Sequence, residues 1–196
     1  TDSAKWGYFD PDVLPMWVAE MDVALHPAVA AAVGEALTRG DTGYPHGTAY
    51  AEAFAAMAAT RWAWELDTAA QARRAGDVMN SILAVLEAST DPGDAVVINP
   101  PVYPPFRQVV SGYRRRITEA PLSASGRLDL TTLEAAFSGP DRPRAYLLCS
   151  PHNPTGVVHT AAELAAVMEL AARYDVQVVV DEIHAPLVDP GTTFVP

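Results

Sequence analysis

Three short, nearly continuous apolar runs constrain this chain more than any other feature: Ala95-Val96-Val97-Ile98, Ala145-Tyr146-Leu147-Leu148-Cys149, and Val176 to Val180 followed by Asp181. Strands that are apolar on both faces must be covered on both faces, which is the situation of a parallel sheet between helices. The segments between them carry helical spacing. Val78, Ile82, Leu83, Val85 and Leu86 recur at helical intervals between Asp77 and Ser89, and further helices are predicted near 105–111, 131–137 and 160–174. A fourth strand is predicted at 116–119, and Asp91-Pro92-Gly93-Asp94 reads as a turn. The alternation defines an α/β fold with a mostly parallel sheet and helices on both faces.

Upstream the pattern changes. Residues 1–24 have little periodicity but contain Trp6, Tyr8, Phe9, Met16, Trp17 and Met21, which predicts an extended arm anchored by aromatic and apolar side chains. Pro27 opens a helix that runs to about Arg39 and stops at Gly40. After the Gly43-Tyr44-Pro45 turn, Thr48 is placed to cap a helix through about Ala63. Ala69–Arg74 reads as helical on propensity alone. No repeat, low-complexity segment or flexible linker marks a boundary between independent domains.

Composition excludes several functions. No run approaches the roughly 18 apolar residues of a membrane span, and the opening Thr1-Asp2-Ser3-Ala4-Lys5 is unlike a secretion leader, so a cytoplasmic protein is expected. A net charge of −11 disfavours nucleic acid, and Arg114-Arg115-Arg116 is too short a basic run to reverse that. Cys149, the sole cysteine, follows an apolar run and is expected to pack in the core.

Ligands of open α/β sheets bind in the loops beyond the strands' C-terminal ends. Four segments there carry chemistry. Gly76-Asp77-Val78-Met79-Asn80 precedes a helix whose first N–H groups can hold a phosphate. Asn99-Pro100-Pro101-Val102-Tyr103-Pro104-Pro105-Phe106 offers an aromatic face on a proline-stiffened loop. Ser150-Pro151-His152-Asn153-Pro154-Thr155-Gly156 exposes an amide at Asn153, and Asp181-Glu182-Ile183-His184 puts an acid at the end of an apolar strand, where a ligand cation would pair it. Taken singly, each also fits a plain role: a turn, a core tyrosine, an Asx turn, or a metal site of Asp181, Glu182, His184 and His152. Adjacent strand residues point to opposite faces, which argues against Asp181 and Glu182 sharing one ion. Walker, Gly-x-Gly-x-x-Gly and Gly-x-Ser-x-Gly patterns are absent.

Together the four segments match a ligand with a phosphate, an aromatic ring, a ring oxygen and a protonated ring nitrogen, which describes pyridoxal 5′-phosphate (PLP). The third and fourth resemble the aminotransferase class I/II signatures. Leu14-Pro15-Met16-Trp17-Val18-Ala19-Glu20-Met21-Asp22, Gly43-Tyr44 and Pro101 to Phe106 resemble the cystathionine β-lyase-like C–S lyase branch. The resemblance implies a fold-type I PLP enzyme, with an N-terminal arm and helix at 1–40 and a partial large PLP-binding domain at 41–196. It implies that the backbone at Val78 and Met79 holds the phosphate, Tyr103 stacks on the ring, Asn153 bonds the ring oxygen and Asp181 keeps the pyridine nitrogen protonated. His184 falls near the ring oxygen, Trp17 and Val18 line the substrate side, and Tyr44 reaches a neighbouring subunit's site, so a homodimer is implied. Asn153-Pro154 is a candidate cis peptide. The implied reaction is β-elimination from cystathionine or a related L-cysteine conjugate, giving a thiol, ammonia and pyruvate. Transamination, or a noncatalytic regulatory role on the same scaffold, are the alternatives.

Lys5 is the only lysine, against twelve arginines. In the family the lysine that bonds PLP lies beyond the Asp-x-x-His motif, as does the arginine for the substrate carboxylate. The resemblance therefore implies the N-terminal portion of a longer enzyme, and that these 196 residues alone lack the catalytic lysine, give no PLP-dependent turnover and expose apolar surface.

Overall fold

The structure, a computed structural model, describes residues 2–196. It divides into two compact units, residues 2–47 and 48–196.

In the first unit, α1 spans Ala4–Gly7 and α2 spans Pro27–Thr38. Pro27 sits in the first turn of α2, His26 Nδ1 accepts from Ala28 N–H, and Gly40 follows with φ +69°, a left-handed conformation that costs glycine little. Between the helices the chain is held by a small polar node. Lys5 Nζ donates to Asp22 Oδ2 at 2.6 Å and to the Glu20 carbonyl at 2.9 Å, while Trp6 Nε1 donates to Asp22 Oδ1. The hydrogen bonds that Lys5 and Trp6 donate to Asp22 hold its carboxyl below the usual carboxylate range. Tyr8, Phe9 and Trp17 cluster around edge and tilted ring contacts. The expected extended arm is thus interrupted at its start by a helical turn. No residue of α2 is buried.

The second unit begins with α3 (Ala49–Trp62), which ends at Ala63 in the left-handed conformation, and α4 (Thr68–Gln71), capped by Asp67. Helical propensity in Ala69–Arg74 is realised only in that first turn; residues 72–75 have no regular structure. Thr48 stands at the N-cap of α3, but its hydroxyl bonds the Glu52 carboxylate rather than a backbone N–H. Then come α5 (Val78–Ser89), β1 (Ala95–Ile98), α6 (Pro105–Gly112), β2 (Arg116–Glu119), α7 (Leu130–Ser138), β3 (Ala145–Cys149), α8 (Ala161–Tyr174), β4 (Gln177–Asp181) and a 3₁₀ turn, Ala185–Leu187. The four strands form one sheet in the order β2-β1-β3-β4, parallel at every pairing.

Alternation along the strands assigns the two faces. Val96 and Ile98 of β1, with Ala145, Leu147 and Cys149 of β3 and Val179 of β4, pack with Ile82 and Leu86 of α5 and Phe106, Val109 and Val110 of α6. Val97, Tyr146 and Leu148 pack on the other side with Leu133 and Phe137 of α7 and Val167 and Leu170 of α8. Each fully buried Val, Leu, Ile or Phe among them contributes about 1.5–3 kcal/mol. Since α5 leads through a tight turn into β1, its N-terminus lies at the edge of the sheet where the strands end.

Candidate functional site

The C-terminal edge of the sheet gathers four segments on the α5–α6 face. Asp181 is the last residue of β4 and pairs in register with Cys149. It shares the parity of Val179, which puts its side chain on the α5 side. The residue is 5% exposed, and its Oδ1 accepts from Ile183 N–H at 3.0 Å. Among the described residues no cation pairs with it. Burial raises its pKa above the ordinary aspartate value, only partly offset by the Ile183 N–H and the nearby His184. Glu182, next along the chain, is pushed up to about 7 by burial and then by the Asp181 carboxylate. This edge of the sheet therefore holds two carboxyl groups whose charged forms are poorly solvated, that of Asp181 only partly compensated.

Across from them, α5 opens with Asp77 as its cap. The Asp77 carboxylate accepts from Asn80 N–H at 2.8 Å and from the Asn80 amide at 2.7 Å. That leaves the N–H groups of Val78 and Met79, the first two of the helix, without hydrogen bonds inside the described structure, pointed along the positive end of the helix dipole. Both side chains pack against the α5–α6 core cluster.

Beyond β1, Asn99 pins the next loop at its base: Nδ2 donates to the Ala120 carbonyl and Oδ1 accepts from the Tyr146 hydroxyl at 2.6 Å. Tyr103 emerges from this loop 36% exposed, resting edge-on against the buried Phe106 ring at 6.1 Å between centroids. Beyond β3, Asn153 N–H donates to Cys149 Sγ, and the Asn153 side-chain amide has no partner among the described residues. Cys149 is core, as expected, and burial pushes its thiol up to about 11, which keeps it protonated. The Pro100-Pro101, Ser150-Pro151 and Asn153-Pro154 peptides are cis.

Six of the sequence-predicted residues, Val78, Met79, Tyr103, Asn153, Asp181 and His184, thus lie in one unit around one sheet edge, with His184 at the start of the 3₁₀ turn. Trp17, Val18 and Tyr44 lie in the other; Tyr44 is fully exposed and Trp17 half-exposed. Two buried imidazoles escaped the sequence reading as structural parts of the site. His152 Nε2 meets the Pro101 carbonyl at 2.8 Å, and His159 Nε2 meets the Cys149 carbonyl at 3.2 Å. Burial lowers the pKa of His159, which keeps it neutral. The sequence signal for His152 was its place inside the Asn153 motif; His159 had none.

A parallel α/β sheet with a buried acid lacking an ion pair among the described residues, a helix N-terminus and a free amide at its C-terminal edge belongs to a known class. The aminotransferase class I and II family matches residues 11–196, and the chain belongs to that family. Its relatives narrow the branch. The chain is 52% identical to a Mycobacterium leprae protein named "putative cystathionine beta-lyase", over 99% of this chain and 50% of that protein. It is 35% identical to the cystathionine β-lyase of Corynebacterium glutamicum, over 96% and 50%. The crystal structure of cystalysin from Treponema denticola, which contains a PLP cofactor, superimposes with a TM-score of 0.91 at 27% identity, covering all of this chain and 52% of that one. The chain spans about half the length of the curated relatives it matches.

Proposed function

We propose that this chain carries the cofactor site of a PLP-dependent C–S β-lyase, acting on cystathionine or related L-cysteine conjugates to release a thiol, ammonia and pyruvate. The observation that carries the reading is Asp181: a buried carboxylate with one local hydrogen bond and, among the described residues, no ion-pair partner is costly unless a cationic ligand pairs with it. A protonated pyridine nitrogen is such a cation, and the pairing would favour the charged form of both partners. The free Val78 and Met79 N–H groups suit the phosphate, Tyr103 the ring face and the Asn153 amide the phenolic oxygen, with His184 close to Asp181. When bound, PLP supplies an electron sink for the carbanion left by loss of the substrate's Cα proton, from which the β-sulfur departs. Trp17, Val18 and Tyr44 are assigned to the substrate side, Tyr44 toward a second subunit, so the enzyme is read as a cytoplasmic homodimer. Lyase rather than transaminase chemistry follows the relatives' names.

Supplying the full-length protein with PLP and cystathionine tests this. Pyruvate and ammonia should form with no second keto acid present; keto acid formed only when a second keto acid is added would make it an aminotransferase. A chain whose one lysine is Lys5 should bind the cofactor's ring and phosphate without turnover. Borohydride trapping with PLP should leave Lys5 without a specific adduct, because its amine is held by Asp22 and the Glu20 carbonyl.

A further inference from the structure

Two of the loops assigned to the cofactor are joined by a single side chain. His152 is 1% exposed and lies immediately before Asn153. Its backbone is fixed on both sides: His152 N–H donates to the Val157 carbonyl at 2.8 Å, and its own carbonyl accepts from Gly156 N–H at 2.7 Å. Its ring reaches out of that turn to the Pro101 carbonyl at 2.8 Å, across 51 residues of sequence. Since a carbonyl only accepts, Nε2 carries the proton and donates. Pro101 stands two residues before Tyr103 in a loop that prolines 100, 101, 104 and 105 deprive of backbone freedom. The same loop is tied at its base by Leu122 N–H to the Pro100 carbonyl. With the base of the loop held at Asn99 and Pro100, the His152 bond ties the next carbonyl, two residues before Tyr103, to the turn that carries Asn153, and so sets the position of Tyr103 against that of Asn153.

We propose that His152 is a positioning residue that fixes the spacing between the Tyr103 ring and the Asn153 amide, and so the fit of a planar, phosphorylated pyridine between them. The inference rests on the cofactor reading above for its ligand, but the loop coupling itself does not. His152→Phe keeps a ring and removes the donor, His152→Asn keeps a polar group too short to reach Pro101, and His152→Gln restores an N–H at similar reach.

The ligand-free protein, labelled with 3-fluorotyrosine, gives a ¹⁹F resonance for Tyr103 that Tyr103→Phe identifies. It should shift in the Phe and Asn variants and return toward its original position in the Gln variant. An unmoved resonance in whichever donorless variant folds would overturn the proposal. The second readout is affinity for 4′-deoxypyridoxine 5′-phosphate, which has the ring, phenolic oxygen and phosphate but no aldehyde. The donorless variants should bind about tenfold more weakly and the Gln variant within about threefold of wild type. In an Asn153→Ala background the loss should shrink below about twofold; an undiminished loss would mean that His152 does not act through Asn153. If wild type does not bind the analogue while the resonance behaves as expected, the cofactor reading fails and the coupling stands.

Discussion

The two units of this chain have similar appetites for burial and satisfy them very differently. Residues 2–47 bury only Lys5 and Pro15, and leave Leu14, Met16, Val23, Leu25 and Leu37 more than 60% exposed. Residues 48–196 enclose two apolar clusters on either side of a sheet. The difference is one of geometry. A strand presents two faces that helices can cover in the same chain, whereas an arm and a single helix offer one stripe each and nothing local to enclose it. Apolar content therefore predicts burial only where the local structure supplies an opposing surface.

The contrast is tested most severely in the core. Leu147→Ala removes a side chain that is fully buried in the central strand β3 and should destabilise the second unit by about 3 kcal/mol, read as a lowered urea midpoint with an unchanged slope. A loss below about 1 kcal/mol would mean that the sheet is no better packed than the arm.

Acidity should also act on the second unit, in both directions. Asp181 and Glu182 have folded-state pKa values above their ordinary ones, Glu182 at about 7. Their contribution is fully present below the ordinary carboxylate range and is lost as pH rises through their raised folded-state values, about 7 for Glu182. Glu163 is held at about 2, first by the Arg127 guanidinium, so its contribution is present above 4.5 and is lost as pH falls toward 2. Ligand-free protein should therefore be most stable near pH 5. Glu182→Gln should remove part of the alkaline loss, on the order of 1–2 kcal/mol once partial exposure is discounted. A thermal midpoint unchanged between pH 5 and 8 in wild type would contradict the burial of both acids.

Helix caps offer a gentler comparison. Asp77→Ala should cost about 1 kcal/mol through the lost Asn80 bond, while His26→Ala, at the exposed start of α2, should cost less than half of that in the same denaturation experiment. The smallest effect is expected for Leu37→Ala in α2, within about 0.5 kcal/mol because the side chain is already 64% exposed. A cost near that of Leu147→Ala would show that Leu37 is covered in solution, and the contrast between the units would disappear.

Much of the second unit was legible because its signals are local and agree with each other. The strands at 95–98, 116–119 and 145–149 fall on the predicted residues, and α8 is capped by Thr160, whose hydroxyl and Glu163 form a reciprocal capping box. The positions of the four candidate segments were legible, since each follows a strand or opens a helix. Ala69–Arg74 was less so: propensity favours a helix throughout, yet only Thr68–Gln71 has a cap in Asp67 and completes a turn. Thr48 was placed correctly, but its hydroxyl turned to Glu52.

What the sequence by itself determined is the order of elements, the parity of each strand and the candidates at the strand ends, because periods of 3.6 and 2 and the chemistry of caps are properties of neighbouring residues. The tertiary structure alone decided strand order, the absence of a cation beside Asp181 among the described residues, the raised pKa of Glu182 and the bond from His152 to Pro101. Each depends on which distant segments are brought together, and on how much water is left between them, and neither quantity is carried by any stretch of adjacent residues.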